Sequence, residues 1–118
     1  MTKFAMAVDL STCIGCHTCA VACKLNNNLP NNIWYNNVKT DGGSFHDTAR
    51  GTYPNDIHRL FYPISCQHCG KPACVDVCPT GATFKRDDGI DAINQDECIG
   101  CGSCITSCPY DVRTLIED

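Results

Sequence analysis

The chain has 118 residues, a formal charge of −4 from nine Lys and Arg against 13 Asp and Glu, and a 43% apolar composition that includes twelve cysteines. That length bounds it to one domain with a thin dry core, of the kind that needs disulfides, metals or a partner to offset chain entropy. No basic cluster exceeds Lys85-Arg86 and no apolar window reaches the length of a bilayer span, so nucleic acid and a membrane-crossing segment are both excluded as expectations.

In chain order, Met1 to Asp9 carries an acidic residue where a secretory signal would need an unbroken apolar run, so no signal peptide is expected. Phe4-Ala5-Met6-Ala7-Val8-Asp9 reads as a short strand leading into a first cysteine loop, and Thr18 to Leu25 as a helical turn that carries Cys19 and Cys23. The asparagine-rich residues 26 to 37, around Pro30, read as an exposed loop. Two β-prone stretches, Ile33 to Lys39 and Arg59 to Ile64, are separated by the polar Asp41 to Asp56 and are expected to pair as a hairpin. Farther on, Ala82 to Arg86, the turn Asp87-Asp88-Gly89 and Ile90 to Asn94 predict a second, tighter hairpin between two cysteine runs.

The cysteines form three runs of four: Cys13-Cys16-Cys19-Cys23, Cys66-Cys69-Cys74-Cys78 and Cys98-Cys101-Cys104-Cys108. The third is C-x2-C-x2-C-x3-C-P, the ligand spacing of bacterial-type ferredoxins, in which three thiolates on a tight loop bind one cluster and the fourth is carried toward another. The second and third runs repeat at about 30 residues, Cys78-Pro79-Thr80-Gly81 paralleling Cys108-Pro109-Tyr110-Asp111. On that logic Cys66, Cys69 and Cys74 bind one 4Fe-4S cluster with Cys108, and Cys98, Cys101 and Cys104 bind a second with Cys78. Cys13, Cys16 and Cys19 then need a fourth ligand and Cys23 needs a cluster, and no fourth run supplies either. Gly15 and Gly100 occupy loop positions where a positive φ and close backbone approach are expected. Ile14, Ile99 and Ile105 are expected to shield the sulfurs, and Pro79 and Pro109 to end helices.

Other readings of the same residues explain less. Cys13-Ile14-Gly15-Cys16-His17 matches c-type haem attachment but leaves Cys19 and Cys23 idle, and His68 lacks Rieske spacing. A disulfide scaffold conflicts with cysteines three apart on one loop and with the N-terminus, and a thioredoxin-like site lacks its βαβ setting. Zinc knuckles give no reason for a third cysteine at the next step. Trp34, Tyr35, Phe61 and Tyr62 read as packing residues rather than an electron path, and Lys85 and Arg86 as a solvated hairpin face. No catalytic constellation stands out.

With the runs in place, the chain resembles the iron–sulfur electron-transfer subunit of molybdopterin oxidoreductases of the dimethyl sulfoxide reductase type. The resemblance runs through Val8 to Cys16, through Ile64 to Cys74 with its four-residue gap Gly70-Lys71-Pro72-Ala73, and through Asp96 to Cys101. It implies an α+β, bacterial ferredoxin-like fold of short helices and hairpins around cross-ligated 4Fe-4S clusters. Within one domain over 1–118, the first motif occupies 1–25, an inserted loop and hairpin 26–64, and a two-cluster unit 65–118. The family carries four runs and four clusters. Carried over, Cys13, Cys16 and Cys19 would be completed by a cysteine beyond this chain and Cys23 would complete a further cluster, so the chain looks cut before a fourth motif. Asp91 departs from the apolar residue usual at its place.

The implied function is non-catalytic. Electrons pass between a membrane anchor subunit or quinol and a molybdopterin catalytic subunit, with this chain peripheral to the membrane on a side left open. A free soluble polyferredoxin, and a zinc-binding interaction module, are the alternatives.

Overall fold

The computed structural model describes residues 2–41 and 50–116. Part of the polar stretch expected from Asp41 to Asp56, residues 42–49, and the last two positions of the 65–118 unit lie outside the described residues. The chain divides into two compact units, one over Ala7–Ser65 and the other over Cys66 onward joined by the residues up to Met6. Short helices and two-stranded sheets make up both.

In the first unit, Asp9 opens the chain into the cysteine loop by accepting from the Ser11 N–H at 3.0 Å and the Ser11 hydroxyl at 2.6 Å. Such an Asx turn suits a short carboxylate, and the Ser11 hydroxyl and N–H hold that carboxyl below its ordinary pKa. Helix α1 (Thr18–Asn26) follows, as the spacing of Cys19 and Cys23 predicts. Lys24, near its end, donates from Nζ to the carbonyls of Pro30, Asn31 (3.2 Å) and Ile33 (2.7 Å) and sits 4.2 Å from the centroid of Trp34. One ammonium thus satisfies three loop carbonyls and its charge faces an aromatic ring, which ties down the asparagine-rich loop.

Strand β1 (Asn37–Thr40) pairs antiparallel with a later strand, Phe61–Ile64, in the register Asn37 to Ile64 through Thr40 to Phe61. The expected hairpin is present. It encloses a second one where the sequence suggests only a polar linker, β2 (Arg50–Thr52) against β3 (Asp56–His58), so that Phe61–Ile64 is β4. With three residues per strand and β3 wholly exposed, no alternation could announce it. Its enabling residue is Gly51 at φ 104°, where an added Cβ would lie 1.5 Å from the Asp56 carbonyl oxygen.

The second unit starts with α2 (Ala73–Asp76), then β5 (Thr83–Lys85) and β6 (Asp91–Ile93), a single 3-10 turn (Gln95–Glu97) and α3 (Ser103–Ser107). The predicted hairpin is observed, in the register Thr83 to Ile93 and Lys85 to Asp91. Its turn closes through the Gly89 N–H on Arg86 O at 3.0 Å and the Ile90 N–H on Asp88 Oδ1 at 3.2 Å. Phe4 to Asp9, by contrast, joins no strand: its residues are exposed and none of the described residues forms a ladder with it. A β-prone run becomes a strand only where another backbone edge meets it.

Lys85 corrects the reading of a solvated hairpin face. Its Nζ donates to Cys69 O at 2.7 Å, Gly89 O at 3.0 Å, His68 O at 3.4 Å and Asp91 Oδ1 at 3.2 Å. The Asp91 side chain is 1% exposed, so the carboxylate that departs from the usual apolar position is the buried counter-ion of the cross-strand lysine. Arg86 pairs with Asp88 at 2.6 Å. Among the described residues, the buried apolar side chains are Ala20 and Val38 in the first unit, where Thr40 is also buried, and Ala82 in the second, where Thr83 is also buried.

Removing one member of the buried pair strands the other charge, so Lys85→Met should cost about 3 kcal/mol. In a guanidinium titration followed by the visible absorbance of the loaded protein, Lys85→Met is expected to bleach earlier. The double change Lys85→Met/Asp91→Leu should recover much of the loss, and equal losses in both would show that the charge is not the cause.

Candidate metal centres

All twelve cysteines are free thiols, half-buried or exposed. The loops that carry them share one backbone device. The residue before the second cysteine is left-handed in every run, Gly15 at φ 71°, His68 at 45° and Gly100 at 68°. The residue after the second cysteine is left-handed again in the first and third runs, His17 at 63° and Gly102 at 73°, where it caps α1 and α3. Left-handed residues on both sides of a cysteine bend the chain sharply there, the kind of backbone from which anion-binding nests are built. The second run differs because its four-residue gap contains Pro72, an extended cap for α2.

The sequence foresaw the conformation of Gly15 and Gly100. It did not foresee that Gly15 also makes room for an aromatic: a Cβ there would stand 2.5 Å from Phe61 Cδ1, whereas nothing lies within 4 Å of one at Gly102. Phe61 accordingly packs against the first cysteine loop, and Trp34 lies under the Lys24 ammonium. Ile14 and Ile99 are 78% and 67% exposed, so neither belongs to the core of the fold.

Hydroxyl and N–H donors lie near the sulfurs. Thr18 Oγ1 is 3.2 Å from Cys16 Sγ, Ser103 Oγ is 3.5 Å from Cys101 Sγ, and Thr80 Oγ1 is 3.8 Å from Cys78 Sγ. The Thr83 N–H donates to Cys78 Sγ at 3.5 Å. Hydrogen bonds favour the thiolate, so Cys16 and Cys101 fall below the ordinary thiol pKa, and Cys78 is lowered to about 7, chiefly by the Thr83 N–H. Burial pushes Cys74 the other way, with Asp91 and Cys66 adding to it against the pull of Arg113. The negative field of Cys78 reaches Cys101, and that of Cys66 reaches Cys74. Members of the second and third runs are therefore neighbours.

His68 is a tie between loop and hairpin. Its Nδ1 accepts the Asp91 N–H at 3.0 Å and lies 3.9 Å from Cys66 Sγ. With Lys85 gripping His68 O and Cys69 O, β6 and β5 both hold the second loop. A cross-strand Lys and Asp in a hairpin following a cysteine run was the sequence signal for this arrangement. A second overlooked signal is an Asx residue four positions before a run: Asp9 before Cys13, and Asn94, whose Oδ1 accepts the Asp96 N–H at 3.2 Å, before Cys98.

Residues 57–117 match the family model of the 4Fe-4S dicluster domain, and residues 4–25 match that of a 4Fe-4S binding domain. The chain belongs to the 4Fe-4S dicluster domain family. Among curated proteins, this dicluster chain is 45% identical to the B subunit of selenate reductase from Mesobacillus selenatarsenatis, over 96% of its own length and 36% of that protein's. It is 42% identical, over its whole length and 47% of the relative's, to a Halobacterium salinarum protein provisionally named as the iron-sulfur B subunit of a dimethyl sulfoxide reductase. Against the B component of the anaerobic dimethyl sulfoxide reductase of Escherichia coli it is 37% identical over 92% of its length and 53% of the relative's. The chain thus spans about half the length of the curated relatives it matches, or less.

The residues fit the 4Fe-4S clusters of the family. Unpaired thiols, several with depressed pKa, stand on left-handed loops among hydroxyl and N–H donors, which is the soft-donor, hydrogen-bonded setting such clusters take. No helix among the described residues is long and apolar enough to cross a membrane.

A thiol with a lowered pKa keeps its ligand form as pH falls until the lowered value is passed, whereas an ordinary thiol is already protonated there. Thr83→Pro, which deletes the N–H on Cys78 Sγ, should move acid bleaching of the loaded protein to higher pH, and Ser103→Ala should do so by less. An unchanged bleaching pH in both variants would remove these donors from the account.

Proposed function

We propose that this chain is an electron-transfer component, non-catalytic by itself, that passes single electrons through 4Fe-4S clusters. The observation that carries this reading is the repeated left-handed cysteine loop with donors aimed at its sulfurs, including an N–H on Cys78, whose field reaches Cys101 of the next run. When bound, the clusters supply reversible one-electron chemistry with little nuclear rearrangement. The residues of the chain position the thiolates, hold them deprotonated, and set the polarity around them.

In this reading the second unit is a bacterial ferredoxin-like α+β domain with two cross-ligated sites, one from Cys66, Cys69, Cys74 and Cys108, the other from Cys98, Cys101, Cys104 and Cys78. The fourth cysteine of each of these runs follows the short α2 or α3, and in this reading it serves the other loop's cluster. Cys13, Cys16 and Cys19 form a third site completed by a ligand from outside this chain, and Cys23 serves a further cluster. The domain division at residues 25 and 64 follows from the same assignment.

The relatives are named as B components of reductases for selenate and dimethyl sulfoxide. The corresponding role here is a relay between a membrane anchor or quinol and a molybdopterin catalytic subunit that reduces a small oxyanion or sulfoxide. A relay protein at the membrane surface needs no bilayer helix of its own.

Pairwise substitution tests the ligand sets. In the anaerobically loaded chain, reduced with dithionite and examined by electron paramagnetic resonance, Cys78→Ser and Cys98→Ser should alter the same signal, and Cys66→Ser and Cys108→Ser the other. Iron near about eight per chain means two complete sites, and near about twelve means three. A well-folded preparation with bound zinc and no acid-labile sulfide would end the proposal.

A further inference from the structure

Arg113 lies five residues beyond the third run, and nothing in the spacing of the cysteines marks it. In the fold it is half-buried, and its Nη1 donates to the Thr83 hydroxyl at 3.2 Å. The same guanidinium lies within electrostatic reach of Cys104, Cys74 and Cys66. Thr83 is 3% exposed, and its own N–H is the donor to Cys78 Sγ. One cation is therefore linked to both proposed ligand sets: through Thr83 to Cys78 and by its field to Cys104 of one set, and by its field to Cys66 and Cys74 of the other.

We propose that Arg113 is a tuning residue shared by the two clusters of the second unit, holding both reduction potentials higher than the same thiolate sets would have without it. The inference rests on the electron-transfer reading. Reduction of either cluster adds one electron and no proton, hence one unit of negative charge. The electron comes from the preceding centre of the relay, or from dithionite in the experiment, and leaves to the next centre or to an added oxidant dye. A guanidinium does not deprotonate in proteins, so its charge is fixed across the working pH range and favours the reduced form throughout.

Lys85, on the hairpin, does not duplicate the effect. It is neutralised by Asp91 and turned toward three carbonyls, so the pair contributes little net charge. Arg113 instead has a neutral hydroxyl as its hydrogen-bond partner and thiols within its field. Thr83 orients the planar fork, and through its N–H couples that orientation to Cys78.

The test is a potentiometric titration of the full chain, loaded anaerobically, with both cluster signals followed by electron paramagnetic resonance and iron and sulfide counted in each sample. Arg113→Gln should lower the one-electron reduction constant of both clusters about tenfold, which is ~59 mV for each. Arg113→Lys keeps the charge and should stay within about threefold of the wild type. If Arg113→Gln does not retain iron, Arg113→Met, which keeps an apolar stem of similar reach, takes its place. Unchanged potentials in a neutral variant with full iron would overturn the proposal, as would equal shifts in the neutral and lysine variants. A wild-type chain without labile sulfide would instead sink the electron-transfer reading, and this inference with it.

Discussion

The fold is organised by the need to hold soft anionic ligands on backbone that has almost no apolar interior behind it. Among the described residues, three small side chains, Ala20, Val38 and Ala82, make up the buried hydrophobic set, far short of what a chain this long would need to offset its conformational entropy by burial alone. The work passes to local backbone geometry and to a few polar clamps. Left-handed residues at Gly15, His68 and Gly100 curl each loop, and the helices that follow are as short as four or five residues in the second unit. Metal binding and folding are then a single equilibrium, and the apo chain should be largely disordered.

The clamps are lysines whose charge is used inward. Lys85 gathers the second cysteine loop against the hairpin, and its counter-ion Asp91 is buried although its position in such hairpins is usually apolar. A non-glycine residue at positive φ costs about 1 kcal/mol or more, and His68 is held there by Lys85 on its carbonyl and by the Asp91 N–H on its ring. Strain, ion pair and ring hydrogen bond form one unit. None of the three is explained separately.

What the sequence disclosed divides along a physical line. Cysteine spacing, the glycines of the loops, the Asp87-Asp88-Gly89 turn and the pairing of the stretch near Lys39 with that near Ile64 were readable, because each depends on residues close together or on strong alternation. The β2–β3 hairpin was not, since three-residue strands, one of them wholly exposed, carry no period. Phe4 to Asp9 looked like a strand because β-propensity reports side chains, not whether a partner edge is present. The roles of Lys24 and Arg113 were invisible for another reason, and that of Lys85 was signalled only by its cross-strand Asp91: a long cation announces its charge, while its destination depends on which carbonyls or sulfurs the fold brings within reach.

The Lys24 clamp has a bearing on how the asparagine-rich segment can vary. Its ammonium binds backbone oxygens of residues 30, 31 and 33, and a carbonyl is the same whatever side chain hangs beside it. The tract is therefore free to drift in composition through evolution without losing its mooring, provided that the tally of residues from Lys24 to Ile33 stays constant. Insertions and deletions there would be felt directly beside Cys23, whereas point changes would pass almost unnoticed.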